Sequence, residues 1–410
     1  AVSFLSDFCL IAIQENNETS LLDCHPLIRE YFAVQLRSFN LRGWHNGHGR
    51  LYSHLYRAAP SCTRRSRMNL LDLTLSKGVS EYPKPSLNDL VPLYQAIGHG
   101  CQAGLHQEAL QKVFRDRILG ASSWDGNYGG IDHGAFDLAL SAMANFFQTP
   151  WQQVTQRLNK WDQNWVLSAA GWWLACRGRC SEAAVPSHSV LEFNESRKKN
   201  WTGASVAAAN LSDIEVAVGN LPSAARYAEK SIAYAERAGA LYFFSAGSPS
   251  IIHSHYASIL FQSGLFQSGR KFEAQEHFQM AVEIQARNQI HTILRGVPGF
   301  KYNEFRLCQT ELAAWRATCG GNLVLQEQLA DYSSTIDEAV EHSEMTISGS
   351  EWEILHDALA NLLLGCAGLY RHVLNGRRSG ALSSGSEHAN LAVSGLQRAQ
   401  RMQHIPAGLL

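Results

Sequence analysis

The sequence lacks a long hydrophobic run and an excess of charge of either sign. Its 410 residues carry 35 Lys and Arg against 36 Asp and Glu, a formal net charge of −1. No apolar stretch approaches the ~18 residues that a membrane-spanning helix needs, so we expect no membrane partner. The charge balance gives no basic surface for nucleic acid. We therefore interpret the sharpest basic cluster, Arg64, Arg65 and Arg67, as a solvated loop rather than a nucleic-acid site.

Paired cysteines and a complete metal-binding motif are missing too. The nine cysteines are an odd number scattered along the chain, which is typical of reduced thiols in a cytoplasmic protein. Cys176, Cys180 and His188 lack a second ligand pair at a zinc-finger interval. The loop that begins at Asp125 has Phe136 where a calcium loop needs a bidentate Glu. We therefore expect a cytoplasmic chain without a metal or other cofactor.

Helical periodicity dominates from residue 41 onward, and we predict no strand beyond that point. One pattern recurs four times, in which a Gly precedes an Ala by five residues: Gly104/Ala109, Gly178/Ala183, Gly219/Ala224 and Gly269/Ala274. The Gly is predicted to take the left-handed conformation that ends a helix. The small Ala lets the next helix pack closely against the first. The pattern therefore predicts antiparallel helix pairs of about 40 residues that stack into an array.

A five-residue duplication interrupts the fourth copy of this pattern. Leu260–Gly264 and Leu265–Gly269 both read Leu-Phe-Gln-Ser-Gly. Two interpretations are open. The insert either extends the first helix and rotates all that follows by about 140°, or it bulges in the turn at a small closure cost. Gly264 favours the bulge, because Gly costs about 1 kcal/mol inside a helix.

Residues 1–40 differ from the rest of the chain. Apolar side chains recur at helical spacing over residues 4–9, and Leu10–Ile13 and Ser20–Asp23 then read as two strands around a polar turn. His25-Pro26 opens a helix that we predict over Leu27–Leu36, with Pro in the first turn where its missing N–H costs nothing. A helix, a hairpin and a helix in this order are typical of the end of a winged-helix domain.

The helix pairs resemble tetratricopeptide repeats. The small residue of the first helix, the turn Gly and the small–aromatic–small series of the second helix are matched by Ala257, Gly269, Ala274, Phe278 and Ala281. The two preceding pairs match at Gly171, Gly178 and Ala183, and at Ser212, Gly219 and Ala224. The aromatic position departs from the pattern, being Ser187 in one pair and Ala228 in the other. The resemblance implies an all-α fold, a right-handed superhelix of antiparallel helix pairs.

The same resemblance implies which side chains line the concave face. In tetratricopeptide arrays the first helix of each pair forms this face, which binds proteins or peptides. Counting from the matched positions assigns it Trp165, Ser168, Trp172, Asn210, Asp213, Ser254, His255 and Ser258. Trp161, Trp165 and Trp172 recur at helical spacing, so the alternative interpretation is that these tryptophans are repeat core.

The segment before the array resembles the closing part of the winged-helix domain in STAND-class signalling NTPases. The string from His25 to Phe32, His-Pro-Leu-Ile-Arg-Glu-Tyr-Phe, carries the likeness. In one bacterial group of these NTPases a repeat array follows directly, and the likeness covers most of residues 20–310. It implies an NTPase module upstream of Ala1. The expected organisation is a winged-helix end at 1–40, a helical connector at 41–90, tetratricopeptide-like repeats at 91–300 and degenerate helical repeats at 301–410.

The predicted function is a protein- or peptide-binding scaffold, the sensor or interaction arm of such an NTPase, with self-association through the parent protein. We expect no catalytic residue in the chain itself. Two alternatives stay open. One is the regulatory arm of a transcription activator that joins an NTPase and a repeat array, although residues 340–410 show no basic recognition helix. The other is an enzyme with a site in the repeat concavity, which a pocket of ionisable groups with perturbed pKa values would favour.

We predict that the isolated chain neither binds nor hydrolyses ATP. Its sequence contains no Gly-x-x-x-x-Gly-Lys-Ser/Thr loop, whose backbone and Lys cradle the phosphates in P-loop NTPases. Isothermal titration calorimetry with magnesium and ATP should give no binding heat, and a phosphate-release assay should give no turnover. Micromolar affinity in the calorimeter would contradict this prediction.

Overall fold

The computed structural model of this chain describes two compact units that are almost entirely helical. The described residues are 11–16, 19–24, 26–59, 86–119, 136–196, 200–239, 249–263, 268–287, 293–294, 296–319, 326–347, 354–376 and 381–399. One unit extends to Gly120, and the other begins at Ala121. Within the described residues there are fifteen α-helices, one π-helix and two short hairpins. The predicted all-α class is therefore confirmed.

The first unit begins with a β-hairpin followed by a helix. Strand β1 (Ile11–Asn16) pairs antiparallel with β2 (Thr19–Cys24), and Ile13 lies opposite Leu22. Helix α1 (Pro26–Phe39) then starts with proline, whose missing N–H would have had no partner in the first turn. The predicted strands and the predicted helix are confirmed, and the helix runs three residues beyond its predicted end.

Three further helices complete the described part of the first unit. They are α2 (Leu41–Ala58), α3 (Leu87–Gln102) and α4 (His106–Glu108), and α4 runs on as a π-helix over Ala109–Leu119. Asn40 caps α2, since its side-chain oxygen accepts from the Gly43 N–H at 2.8 Å. Ser86 and Asp89 form a capping box on α3. Helix α3 packs against α2 and the π-helix, and its Leu93 and Ile97 are completely buried.

The second unit opens with a short helix and a small hairpin. Helix α5 (Phe136–Ala144) precedes strands β3 (Phe147–Thr149) and β4 (Gln153–Val154), which pair antiparallel. The prediction that no strand follows residue 41 is therefore wrong here. Strands of three and two residues are too short to show an alternating pattern. Trp151 stands between them with a φ of 62°, an unusual conformation for a residue with a side chain.

Five helix pairs make up the rest of the described part of the second unit. They are α6 (Lys160–Cys176) with α7 (Cys180–Ser196), α8 (Trp201–Ala217) with α9 (Leu221–Ala238), α10 (Pro249–Ser263) with α11 (Ser268–Arg287), α12 (Gly296–Thr318) with α13 (Gln326–Thr346), and α14 (Ile354–Leu374) with α15 (Ala381–Ala399). The two helices of each pair pack on each other, and first helices also contact the first helix of the next pair. The connections at 177–179 and 218–220 are so short that the paired helices must run antiparallel.

Glycine ends the first helix in three of the four predicted copies. Gly104, Gly178 and Gly219 have φ values of 84°, 74° and 83°, so the left-handed conformation is confirmed at these positions. For Gly269 the prediction is wrong, because this residue lies in the first turn of α11. The duplication moves the connection between α10 and α11 to 264–267, which lies outside the described residues.

Small residues bring the paired helices together. The alanines of the four copies are all completely buried: Ala109, Ala183, Ala224 and Ala274. In the pair α6–α7, a Cβ added to Gly171 would lie 3.5 Å from the Ala183 carbonyl oxygen. In the pair α8–α9, the Ser212 hydroxyl donates to the Ala224 carbonyl oxygen at 2.7 Å. A larger side chain at either position would push the two helices apart.

The duplication is divided between the connection and the second helix. Helix α10 ends at Ser263, so the insert does not extend the first helix, and α11 already starts at Ser268. Ala257 and Ala274 still meet in one buried cluster. They are separated by five more residues than the equivalent pairs Gly171–Ala183 and Ser212–Ala224. The insert therefore changes the path between the helices and leaves their contact in place.

We predict that deleting Leu265–Gly269 leaves the protein folded. The deletion restores the spacing of the two preceding pairs and shortens the connection, which changes the closure free energy by a few tenths of a kcal/mol. The melting temperature by circular dichroism should stay the same or rise slightly. As a matched control, deleting Ile252–Tyr256 removes five residues from inside α10 and should abolish cooperative unfolding. A loss of several kcal/mol on the first deletion would place the insert in the packed core.

Candidate functional site

Three ionisable side chains meet where α8, α10 and α12 come together. His255 Nδ1 lies 3.1 Å from Asp213 Oδ1 and 2.7 Å from Lys301 Nζ. Lys301 Nζ in turn lies 3.7 Å from Asp213 Oδ1. We call Asp213, His255 and Lys301 the Asp–His–Lys cluster. The cluster therefore joins the first helices of three consecutive pairs.

Burial determines the protonation state of this cluster. His255 is only 7% exposed. Loss of hydration lowers the pKa of its imidazole to about 4, against a smaller upward effect of Asp213. The ring is therefore neutral at pH 7. Since an ammonium group has donors only, Lys301 donates to Nδ1, and the ring proton resides on Nε2.

The chemistry open to His255 follows from these contacts. Its Nδ1 is occupied by Lys301, so the charged pair of the cluster is Asp213 with Lys301. Its Nε2 is buried and has no hydrogen-bond partner among the described residues. In this geometry no substrate atom can reach either ring nitrogen. The cluster is built to hold three helices together, and proton transfer to a bound molecule would require the helices to move.

The tryptophans of α6 divide between the core and the surface. Trp173 is completely buried, whereas Trp165 and Trp172 are half-buried, as is Ser168. Trp161 is exposed, and its ring packs edge-on against Phe193 of α7 with centroids 5.7 Å apart. Three of the eight predicted face residues thus lie on α6 with part of their surface open to solvent.

Equivalent positions connect α6 with the Asp–His–Lys cluster. Trp172 follows Gly171 just as Asp213 follows Ser212, and Gly171 and Ser212 are the small residues that contact the partner helix in each pair. Trp172 and Asp213 therefore occupy the same place in successive first helices. Asn210, one turn before Asp213, is half-buried, and Asp213 itself is exposed.

The three predicted face residues on α10 are all buried. Ser254 is completely buried, and its hydroxyl donates to the Pro298 carbonyl oxygen at 3.2 Å. Ser258 is also buried, and His255 belongs to the Asp–His–Lys cluster. Ser254 and His255 connect α10 to α12, and all three side chains offer almost no surface to a ligand. Counting along the repeat could not reveal this, because it depends on how closely the next pair packs.

Helix α12 carries functional candidates that the sequence analysis missed. Lys301, Glu304 and Glu311 recur at steps of three and seven residues, which places them on one side of the helix. Across from them on α14, Cys366 and Tyr370 are hydrogen-bonded to each other, and both are influenced by the charges of Glu304 and Glu311. The tetratricopeptide-like repeats are predicted to end at residue 300, so the sequence assigns no face position in α12.

The carboxyl of Glu304 has an unusual acidity. The residue keeps access to solvent, yet the protein packed around it removes hydration and raises the pKa of its carboxyl to about 7. Lys301 opposes this increase, and the negative charge of Glu311 adds to it. We call Glu304, Glu311, Cys366 and Tyr370 the acidic end. Burial also raises the pKa of the Cys366 thiol to about 11, so this thiol is protonated and unreactive at neutral pH.

The described residues show neither a metal-binding group nor a membrane-spanning helix. The described ranges contain no group of three or more His, Cys, Asp or Glu side chains placed to hold a metal ion. Two histidine pairs approach through their Nδ1 atoms, His48 with His99 at 2.7 Å and His253 with His277 at 2.9 Å. Across the helices that the structure describes, none has the length and apolar character to cross a bilayer. The basic cluster at 64–67 lies outside the described residues.

We predict that His255 makes stability depend on pH between about 6.5 and 4. The folded pKa of about 4 lies below the ordinary value of 6.5, so the unfolded chain takes up the proton first as pH falls. The stabilisation is complete above pH 6.5 and is lost as pH falls through 4, a change of about 3 kcal/mol. Urea unfolding at pH 7 and at pH 4 should measure this change. The difference in the free energy of unfolding between wild type and His255→Gln should be smaller at pH 4 by about this amount.

Ser254→Ala is the matched control for this measurement. It removes a buried hydrogen bond one residue away, which costs about 1 kcal/mol, and it removes no titratable group. Ser254→Ala should lower the free energy of unfolding by the same amount at pH 7 and at pH 4. If the difference in unfolding free energy between wild type and His255→Gln is the same at both pH values, the assignment of a neutral, buried imidazole is contradicted.

Comparisons with known proteins do not extend this picture. No protein-family model matches the chain, and no match is found among curated proteins or among solved structures. The features of the chain that point to a function are the Asp–His–Lys cluster, the half-buried tryptophans of α6 and the acidic end.

Proposed function

We propose that the chain is a protein- or peptide-binding scaffold whose partner lies along the first helices of the second unit. The observation that supports this proposal is the Asp–His–Lys cluster, in which side chains of α8, α10 and α12 meet. A surface built from successive first helices is the one that helical repeat proteins use for extended ligands. We call Trp165, Trp172, Asp213, Lys301 and the acidic end the first-helix face.

The two ends of the first-helix face offer different chemistry. Trp165 and Trp172 provide large, stiff side chains that are half-buried, the type of side chain that dominates binding energy at interfaces. Glu304 and Glu311 provide carboxylates. Among the described residues, Lys301 is the one cation that counteracts the raised pKa of Glu304, and its ammonium group is already shared with Asp213 and His255.

The excess of negative charge around Glu304 and Glu311 indicates that the partner carries positive charge. An approaching Lys or Arg side chain would relieve the repulsion between Glu304 and Glu311 and favour the ionised form of Glu304. A cationic group can also stack on a tryptophan ring of α6. The partner we propose is therefore a basic peptide segment that also contains an aromatic or aliphatic residue.

We further propose that this scaffold is the sensor arm of a STAND-type signalling NTPase. Supporting it, the hairpin β1–β2 is followed directly by α1 and then by further helices, the order that the resemblance implies. Tyr31 and Phe32, the last residues of the string that carries the resemblance, are 61% and 53% exposed on α1. An NTPase module that precedes the hairpin would give this apolar surface a partner, and the array would report ligand binding to it.

An enzymatic role is the second candidate, and Glu304 is the observation that favours it. A carboxyl with a pKa of about 7 suits general acid–base catalysis near neutral pH. The neighbouring Cys366 thiol is protonated, however, and His255 Nε2 is covered. Peptide binding makes use of both the tryptophans and the carboxylates, so it is the function that we prefer.

We predict that peptides selected by this chain are enriched in Lys and Arg. The chain would be applied to arrays of random twelve-residue peptides, and the affinity of the selected peptides would be measured by fluorescence anisotropy. The double variant Glu304→Gln/Glu311→Gln should weaken binding about tenfold or more and reduce its salt dependence. Trp172→Ala should weaken binding by a similar factor, since truncated aromatic anchors cost 1.4 kcal/mol or more, about tenfold.

The control for charge is the double variant Glu276→Gln/Glu283→Gln. It neutralises two exposed carboxylates on α11, a second helix, and should leave the affinity unchanged. Equal losses in both double variants would show that binding depends on net charge alone. Two results would reject the first-helix face as the binding surface. One is that the selected peptides are not enriched in Lys and Arg. The other is that neither Trp172→Ala nor Glu304→Gln/Glu311→Gln changes their affinity.

A further inference from the structure

Helices α12, α13 and α14 line a small cavity whose walls carry both polar and apolar side chains. Its volume is about 10 Å³, and its walls include Asn303 of α12, His342 and Ser343 of α13 and His356 of α14. Asn303 and Ser343 are at most 1% exposed, so their polar atoms are withdrawn from bulk solvent. A polar group in this position needs a hydrogen-bond partner inside the protein.

The side-chain amide of Asn303 satisfies only half of its hydrogen-bonding capacity from protein atoms. Its nitrogen donates one hydrogen to the Gly299 carbonyl oxygen at 3.1 Å and the other to His342 Nδ1 at 2.9 Å. Its oxygen, Oδ1, is buried and accepts no hydrogen bond from a described residue. Rotating the amide does not help, because Oδ1 would then face the Gly299 carbonyl, another acceptor.

The protonation of His342 agrees with this orientation. Burial lowers the pKa of the imidazole, and the nearby positive charge of Arg306 lowers it further. A neutral ring can accept at Nδ1, as the contact with Asn303 requires. The arrangement therefore directs the amide nitrogen at its two partners and leaves Oδ1 as the group in need of a donor.

Two glycines at the start of α12 leave room for the cavity walls. Gly296 has a φ of 64°, and a Cβ added there would lie 2.5 Å from His356 Nε2. A Cβ at Gly299 would lie 2.2 Å from the Leu294 carbonyl oxygen and 3.1 Å from His342 Cε1. Any larger residue would move the imidazoles, so the polar walls depend on glycine at both positions.

We propose that this cavity binds a single water molecule that donates a hydrogen bond to Asn303 Oδ1. A space of roughly 10–15 Å³ with several polar partners is what one buried water needs, and the cavity is of that size. The second water hydrogen can go to Ser343 Oγ, whose own proton is donated to the Ala339 carbonyl oxygen at 2.7 Å. The walls carry no carboxylate or thiolate, so they favour a neutral ligand over a metal cation.

The consequence is a water-mediated link between α12 and α13. Asn303 already reaches α13 through His342, and the water would add a second connection through Ser343. This site is independent of the proposed function, since none of its residues belongs to the first-helix face.

A high-resolution crystal structure of the full chain tests the site directly. We expect one ordered peak about 2.5–3.0 Å from Asn303 Oδ1, the distance of an O–H···O bond. Asn303→Leu should lose the peak, while Ser343→Ala should keep it with weaker density. An empty cavity in the wild type, or a direct protein donor to Oδ1, would overturn the proposal. So would a peak with ligand distances near 2.1 Å, which indicates a metal ion.

A measurement in solution tests the same site on the wild-type protein alone, so it does not depend on whether the variants fold. Nuclear Overhauser effects between water and the Asn303 side-chain amide protons should report a long-lived water in the wild-type protein. The exposed amide of Gln279 on α11 serves as the internal control and should show rapidly exchanging water. Equal behaviour of the two amides would contradict a buried, ordered water at Asn303.

Discussion

The close approach of paired helices is the constraint on which the second unit depends. Gly171, Ser212 and Ala257 each face a buried alanine of the second helix, so the two backbones nearly touch. The last pair uses glycine on both sides, since a Cβ on Gly365 would lie 3.2 Å from the Gly385 carbonyl oxygen. Each contact fixes the rotation of one helix against the other, and this rotation decides which side chains the first helix presents outward.

Packing between the first helices of successive pairs brings ionisable side chains together. Asp213, His255 and Lys301 come from three helix pairs and still meet within hydrogen-bond and ion-pair distance. Burial then sets their charges, because an imidazole without hydration stays neutral and accepts from Lys301. At the acidic end the same loss of hydration acts on Glu304, whose carboxyl has a pKa of about 7. The chemistry of the proposed binding surface thus follows from packing.

Local signals in the sequence predicted much of the framework. Turn glycines and buried alanines were identified by their spacing at three connections, because a left-handed residue and a close helix contact each require a small side chain. The hairpin β1–β2 was visible from two apolar runs around a polar turn. The strands β3 and β4 were missed because they are too short for a period to emerge, and Gly269 was misplaced because the duplication supplied two equivalent glycines.

The sequence by itself determined the all-α class and the helix pairs, since these depend on helical periodicity and on local turn residues. The face assigned to Trp172 and Asp213 rests on the tetratricopeptide resemblance and stays a prediction. The tertiary structure decided which of the predicted face residues stay accessible. Ser254 is covered where α12 packs on α10, a contact between residues more than forty positions apart. Glu304 and Glu311 act on Cys366 and Tyr370 of the next helix pair, and no local pattern in the sequence records this contact.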